Sequence, residues 1–105
     1  LLKKVKRRYL ALAIDSPETF EAKEFMDAVW NAVLKLYGEY GASKTGLTLI
    51  SYDKEKRFAI IRASHKAVEV VRATLASITK IGDKPAAIHV MKISGTLRAL
   101  HKRMT

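Results

Sequence analysis

The chain has 105 residues, no cysteine, a formal net charge of +10 and a sequence pI near 10.0. That length holds one hydrophobic core with little room for a second, and the missing thiols exclude a disulfide framework and any thiolate-bound metal. Twenty Lys and Arg against ten Asp and Glu point to a polyanionic partner, and the abundant cytoplasmic polyanion is nucleic acid.

From Val5 to Ile14 the residues alternate, with Leu10, Leu12 and Ile14 on one face and Tyr9, Ala11 and Ala13 on the other, the pattern of a strand. Ser16-Pro17-Glu18 follows as a helix start: a capping hydroxyl, Pro at the first helical position and acids near the positive end of the dipole. Phe25, Val29, Ala32, Val33, Leu36 and Tyr40 keep helical spacing, which predicts a long helix to about Gly38 or Tyr40, with room for one break. Gly38, Gly41 and Gly46 mark the loop beyond it. Leu47 to Tyr52 and Phe58 to Ala63 are β-rich runs joined by Asp53-Lys54-Glu55-Lys56, a hairpin.

Ser64 is placed to cap a second helix whose buried stripe is Val68, Val71, Leu75 and Ile78. Gly82-Asp83-Lys84-Pro85 reads as a turn, and Ala86 to Ile93 as a fourth strand. Thr96 then caps a short basic helix carrying Leu97, Leu100 and Met104. The predicted fold is α+β: a four-stranded antiparallel sheet in the split βαβ order, ferredoxin-like and RNA-recognition-motif-like, with an extra C-terminal helix. Residues 1–105 are read as one domain of that kind. The longest uncharged stretch, Thr45 to Tyr52, is eight residues, too short to span a bilayer. No charged-then-apolar leader opens the chain, so the expectation is a soluble, cytoplasmic protein, and the start at Leu1 suggests that an initiator Met, with or without a residue or two more, is missing from this sequence. One Asn and no Gln fit a thermophilic source.

Such a sheet should carry one polar face, and this one does not. With Leu10, Leu12, Ile61 and Val90 facing the helices, the opposite face is assigned Tyr9, Ile50, Tyr52, Phe58, Ile60, Met91 and Ile93. The C-terminal helix, another protein or the bases of RNA must cover them. The RNA-recognition octamer on the third strand wants stacking rings. The run here, Lys56-Arg57-Phe58-Ala59-Ile60-Ile61, keeps the first ring and puts Ile where the second belongs. The favoured reading of Tyr9, Phe58 and Ile60 is therefore a covered or protein-facing surface, which Tyr37 and Tyr40 at the end of the long helix extend.

Catalysis has no constellation to rest on. His65, His89 and His101 have no neighbour at metal-ligand spacing, and no nucleophile elbow, phosphate loop or HExxH is present. Glu18, Glu21 and Glu24 are explained by the helix dipole and by solvation. Acylphosphatases share the element order but bind phosphate in a Gly-rich loop, where this chain has Asp15-Ser16-Pro17. No catalytic residue, metal ligand or protein-bound cofactor is assigned. The charge, by contrast, has a place. Lys3, Lys4, Lys6, Arg7 and Arg8 precede the first strand, and Arg98, His101, Lys102 and Arg103 follow the fourth. Those strands are antiparallel neighbours in a split βαβ sheet, so the two clusters should merge into one RNA-binding patch. The acids between Asp15 and Asp27 should face away from it.

Four stretches resemble one family: Arg7-Arg8-Tyr9-Leu10, Ala28-Val-Trp-Asn-Ala-Val-Leu-Lys-Leu-Tyr-Gly-Glu-Tyr-Gly41, Phe58 to His65, and Lys92-Ile-Ser-Gly-Thr-Leu-Arg98. In these the chain is similar to protein component 2 of archaeal ribonuclease P, the smaller of the two core proteins shared with eukaryotes. The resemblance implies a ribonucleoprotein endonuclease that removes the 5′ leader of precursor tRNA, with the catalytic groups and Mg²⁺ on the RNA subunit. It also implies partnership with protein component 3, a barrel-like subunit, in supporting the catalytic domain of that RNA. Precursor tRNA would be met through the holoenzyme, and a second copy of the chain is the alternative protein partner. Two other classes stay open: a free-standing RNA-recognition module, and a ribosomal or architectural RNA-binding protein.

Overall fold

A computed structural model describes residues 6–104, with side chains as far as Leu100. The elements in chain order are β1 (Arg7–Asp15), α1 (Ala22–Ser43), β2 (Thr48–Asp53), β3 (Phe58–Ser64), a 3₁₀ turn (His65–Ala67), α2 (Val68–Ser77), β4 (Lys80–Ile81), β5 (Lys84–Pro85), β6 (Ala87–Ser94) and α3 (Leu97–Met104). The main sheet has the order β2-β3-β1-β6, and every neighbouring pair in it is antiparallel. This is the expected split βαβ fold, with β6 as the fourth strand. The segment read as a plain turn is a miniature hairpin, β4 against β5, with Gly82 at φ 62° between them.

Because β1 is central, its alternation is used on both faces. Leu10 and Leu12 are fully buried against the helices, and Ala11 is equally buried on the other side. Phe25, Val29 and Val33 from α1 and Val71 and Leu75 from α2 close the main core over Leu10, Leu12 and Ile61. Each such side chain stabilises the fold by roughly 1.5–3 kcal/mol through apolar area removed from water.

The outer face is covered by α3. Leu100 is fully buried against Ala11 and Ile60, and Leu97, Tyr9, Ile50 and Phe58 pack around them. Thr96 caps this helix as expected, its Oγ1 accepting from the Ala99 amide at 3.1 Å. Two residues assigned to that face belong to the other one. Leu12 pairs with Val90 and Leu10 with Ile93, so Met91 is an extra residue that reverses the alternation. Ile93 therefore packs on the main core with Val90, and Met91 is left 53% exposed. The same happens in β2: Leu49 pairs with Ile61 and Tyr52 with Ala59, with Ile50 as the extra residue. Tyr52 thus stacks at 5.5 Å from the Phe25 ring and donates its hydroxyl proton to the Phe20 carbonyl. Burial, followed by the nearby Glu21 and Glu24 charges, holds its phenol above the ordinary pKa. A bulge flips every side chain beyond it.

The helix starts also moved. Ser16 does not cap α1; its Oγ donates to the Pro85 carbonyl and accepts from the Glu18 amide, tying the end of β1 to β5. The chain then runs six residues further before α1 begins, so Phe20 can be buried beneath it. The true start is a capping box, Glu21 reciprocating with Glu24. Ser64 likewise precedes a 3₁₀ turn rather than α2, and its Oγ points to the Lys44 carbonyl instead of capping. Among the described residues no helix is long and apolar enough to cross a membrane.

The break in α1 falls at Gly38, with φ 73° and ψ 176°, after which the helix resumes to Ser43. That combination is accessible to Gly and almost no other residue. Nothing lies within 4 Å of where a Cβ would sit, so a substitution there meets conformational strain and no clash. Gly38→Ala should therefore lower stability by about 1–3 kcal/mol in chemical denaturation. A gain in stability would mean that α1 runs straight.

Candidate nucleic-acid interface

Antiparallel pairing gathers several chain segments at one end of the sheet. Arg7 pairs with Ser64, Tyr9 with Ser94, and Thr48 with Arg62. The His65 amide donates to the Lys6 carbonyl at 2.7 Å, and the Ser64 amide donates to the Thr45 carbonyl at 2.7 Å. The start of β1, the end of α1, the start of β2, the end of β3 and the end of β6 therefore meet. Between them the segments Lys6–Tyr9, Lys44–Thr48, Arg62–Lys66 and Ser94–Arg98 carry seven cations and no acid.

The predicted merger of the two terminal clusters is visible where the structure describes them. The Arg8 guanidinium lies against Gly95, so close that a Cβ there would sit 2.8 Å from its Nη1. Arg98 follows three residues later and is exposed, as are Lys6 and Arg7. Lys3 and Lys4 lie outside the described residues, as do the side chains of His101, Lys102 and Arg103. Three cations of this end were not singled out from the sequence: Lys44, Arg62 and Lys66. The signal was available, because in a split βαβ sheet the first strand borders the third as well as the fourth, so the end of β3 must also reach Arg7.

Among the described residues none of these seven cations is paired with a carboxylate; the ion pairs there are Lys54–Glu21 and Arg72–Glu69, and His89 Nε2 lies 3.9 Å from an Asp15 oxygen. The opposite end of the sheet holds seven of the ten acids: Asp15, Glu18, Glu21, Glu24, Asp53, Glu55 and Asp83. Ala13 pairs with Phe58 there, and the Glu24 carboxylate lies near Gly82 in the β4–β5 turn. Lys54, Lys56, Arg57, Lys80 and Lys84 lie among them and balance most of that charge, and Lys54 hydrogen-bonds Glu21, which raises its ammonium pKa. Among the described residues no three His, Asp or Glu gather as a metal site. Among the described residues, one end of the sheet thus carries positive charge with no acid in its segments while the other is close to balanced, and the repulsion within the positive end is relieved when a polyanion binds.

At the basic end a groove of about 500 Å³ is lined by Arg7, Trp30, Lys44, Thr48, Arg62 and Ser64, among others. The Arg62 Nε is buried there without a hydrogen-bond partner. Trp30 and Lys44 share the groove because of the break at Gly38; an unbroken helix would hold them about 20 Å apart along its axis. The residues assigned to a protein contact fall into two sets. Tyr37 and Tyr40 are 41% and 76% exposed on α1, beside Leu36 at 50%. Tyr9 and Phe58 are half-covered by α3, and Ile60 is 2% exposed beneath Leu100, so α3 would have to move before a partner could reach it.

The fold has a known counterpart. A chain in the cryo-EM structure of yeast ribonuclease MRP superposes with a TM-score of 0.74 at 15% identity, covering 99% of this chain and 92% of that one. Sequence relatives are closer. Ribonuclease P protein component 2 of Pyrococcus furiosus is 34% identical over 98 residues, 93% of this chain and 82% of the relative. The protein of the same name from Halorubrum lacusprofundi is 37% identical over 100 residues, 91% of this chain and 63% of the relative. The model of the Rpp14/Pop5 family matches residues 8–105. A match over residues 8–105, nearly the whole length, makes this chain a member of the Rpp14/Pop5 family.

Proposed function

We propose that this chain is the small core protein subunit of a ribonuclease P, binding the RNA subunit through its basic end. The observation that carries the reading is the uncompensated charge there: Lys6, Arg7, Arg8, Lys44, Arg62, Lys66 and Arg98 in adjoining segments, none paired with an acid. Family membership and the relatives named ribonuclease P protein component 2 support the choice of ribonucleoprotein. The cations of this end would displace counterions condensed on the phosphates of folded RNA, and Lys3, Lys4, Lys102 and Arg103 would extend it. In this reading the leader of precursor tRNA is cleaved by the RNA and its Mg²⁺. The protein lowers the repulsion between phosphates that otherwise demands more metal.

The same reading gives the chain a protein partner, the barrel-like component 3, with self-association as the alternative. Leu36, Tyr37 and Tyr40 support it, because two rings and an aliphatic chain exposed on either side of the break at Gly38 are costly to leave in water. The free-standing RNA-recognition reading is disfavoured by the outer sheet face: α3 occupies the surface on which bases would stack.

Two measurements test this. Reconstituted with a ribonuclease P RNA and the barrel-like subunit, the chain should raise precursor-tRNA cleavage at low Mg²⁺, while the chain alone with Mg²⁺ should cleave nothing. Cleavage by the protein alone, surviving nuclease-free controls, would overturn the scaffold reading. For the contact itself, Lys6→Ala, Arg7→Ala and Arg98→Ala combined should leave Tm nearly unchanged, since all three are exposed. The slope of log affinity against log salt should become shallower by about 2–3 units, at about 0.7–0.9 per phosphate contact. An unchanged slope would mean that this end does not touch RNA.

A further inference from the structure

We infer that the groove between Trp30 and Arg62 receives one unpaired nucleotide of an RNA strand, with its base against the indole and its phosphate among Arg7, Lys44 and Arg62. The inference rests on the RNA-binding reading and adds to it a site, a ligand class and a stacking residue. Trp30 is 38% exposed, and it is the chain's sole tryptophan. A large ring left at the wall of a groove beside three cations and no acid is matched by a ligand that is flat, aromatic and anionic at once. A nucleotide has all three properties, and every base offers a π face to an indole. The groove volume of about 500 Å³ suits one such unit, since small-ligand clefts run from about 300 to 1,000 Å³.

Arg62 supplies the second observation. Its guanidinium-bearing side chain lines the groove and forms no ion pair among the described residues; its Nε, like that of Arg57 at the opposite end of the sheet, is buried without a protein acceptor. A phosphate oxygen in the groove would meet the guanidinium in a charge-assisted hydrogen bond. Thr48 and Ser64 add hydroxyls at the same wall. An apolar protein segment would cover Trp30 but leave Arg7, Lys44 and Arg62 desolvated without a counter-charge, which disfavours a protein occupant. A duplex is disfavoured too, because its bases are stacked on one another and cannot present a face to the indole.

Trp30 reports on its own occupancy. The full chain is titrated with a short oligouridylate and, separately, with an RNA duplex of equal length, following indole fluorescence and mobility shift together. The single strand should quench the emission and the duplex should not. Trp30→Leu should weaken single-strand binding by about 5- to 150-fold, the range for loss of one base–aromatic stack, while Trp30→Phe retains most of it. Arg62→Gln keeps the indole and should raise the oligouridylate concentration needed for quenching, so the test stands even if Trp30→Leu fails to fold. Single-strand binding that leaves the fluorescence unchanged and is indifferent to Trp30→Leu would overturn the groove while leaving RNA association at the rest of the basic end intact. Failure to bind either RNA would overturn the underlying reading as well. A blue shift with the barrel-like protein and no response to oligouridylate would assign the groove to a protein contact and overturn this proposal.

Discussion

The pairing of β1 with β3 on one side and β6 on the other is the constraint from which the rest of the molecule follows. It buries Leu10 and Leu12 against the two long helices and Ala11 against the third. A central strand covered on both faces is costly to displace, so the ends of its neighbours are held in fixed register. Arg7 must lie beside Ser64 and Tyr9 beside Ser94. Basic residues far apart in the chain are therefore assembled by backbone hydrogen bonds, with no contribution from one another. Their mutual repulsion is borne by the core, which leaves the charge free for a partner.

The element order, the antiparallel sheet and the meeting of the start of β1 with the end of β6 could be read from the sequence because they rest on long patterns. Alternation in β1 and helical spacing in α1 extend over many residues, and single exceptions do not hide them. What could not be read rests on single residues. The bulges at Ile50 and Met91 reverse the alternation that places Tyr52 and Ile93, and no composition signal marks either position. Ser16 has the chemistry of a helix cap, but the carbonyl of Pro85, distant in sequence, was the better partner for its hydroxyl. Local propensity lost to a tertiary contact in both cases. The groove escaped notice for a related reason: its walls come from four segments, and only the backbone turn at Gly38 brings Trp30 and Lys44 to the same place.

The two ends of the sheet divide the labour. Carboxylates collect around the β2–β3 turn and the start of α1, where Lys54 answers one of them. The other end is left positive, and the exposed rings of Tyr37 and Tyr40 border it, with the Lys44 ammonium 4.9 Å from the centre of the Tyr40 ring. Coverage of the outer face by α3 explains how an RNA-recognition-like fold can do without its stacking rings: the second ring position is Ile60, and it is packing, beneath Leu100, that this position now serves.

The central claim is that RNA meets the end whose cations have no acids among them, and not the opposite end, where the two signs are mixed. Photocrosslinking of the ribonucleoprotein assembled with a ribonuclease P RNA, read out by mass spectrometry of the protein's peptides, tests it residue by residue. The account predicts RNA adducts on Lys6–Arg8, Lys44–Thr48 and Arg62–Lys66, with none on the Asp53–Arg57 turn or the β4–β5 hairpin. Adducts concentrated on those two turns, with the basic segments unmodified, would contradict it.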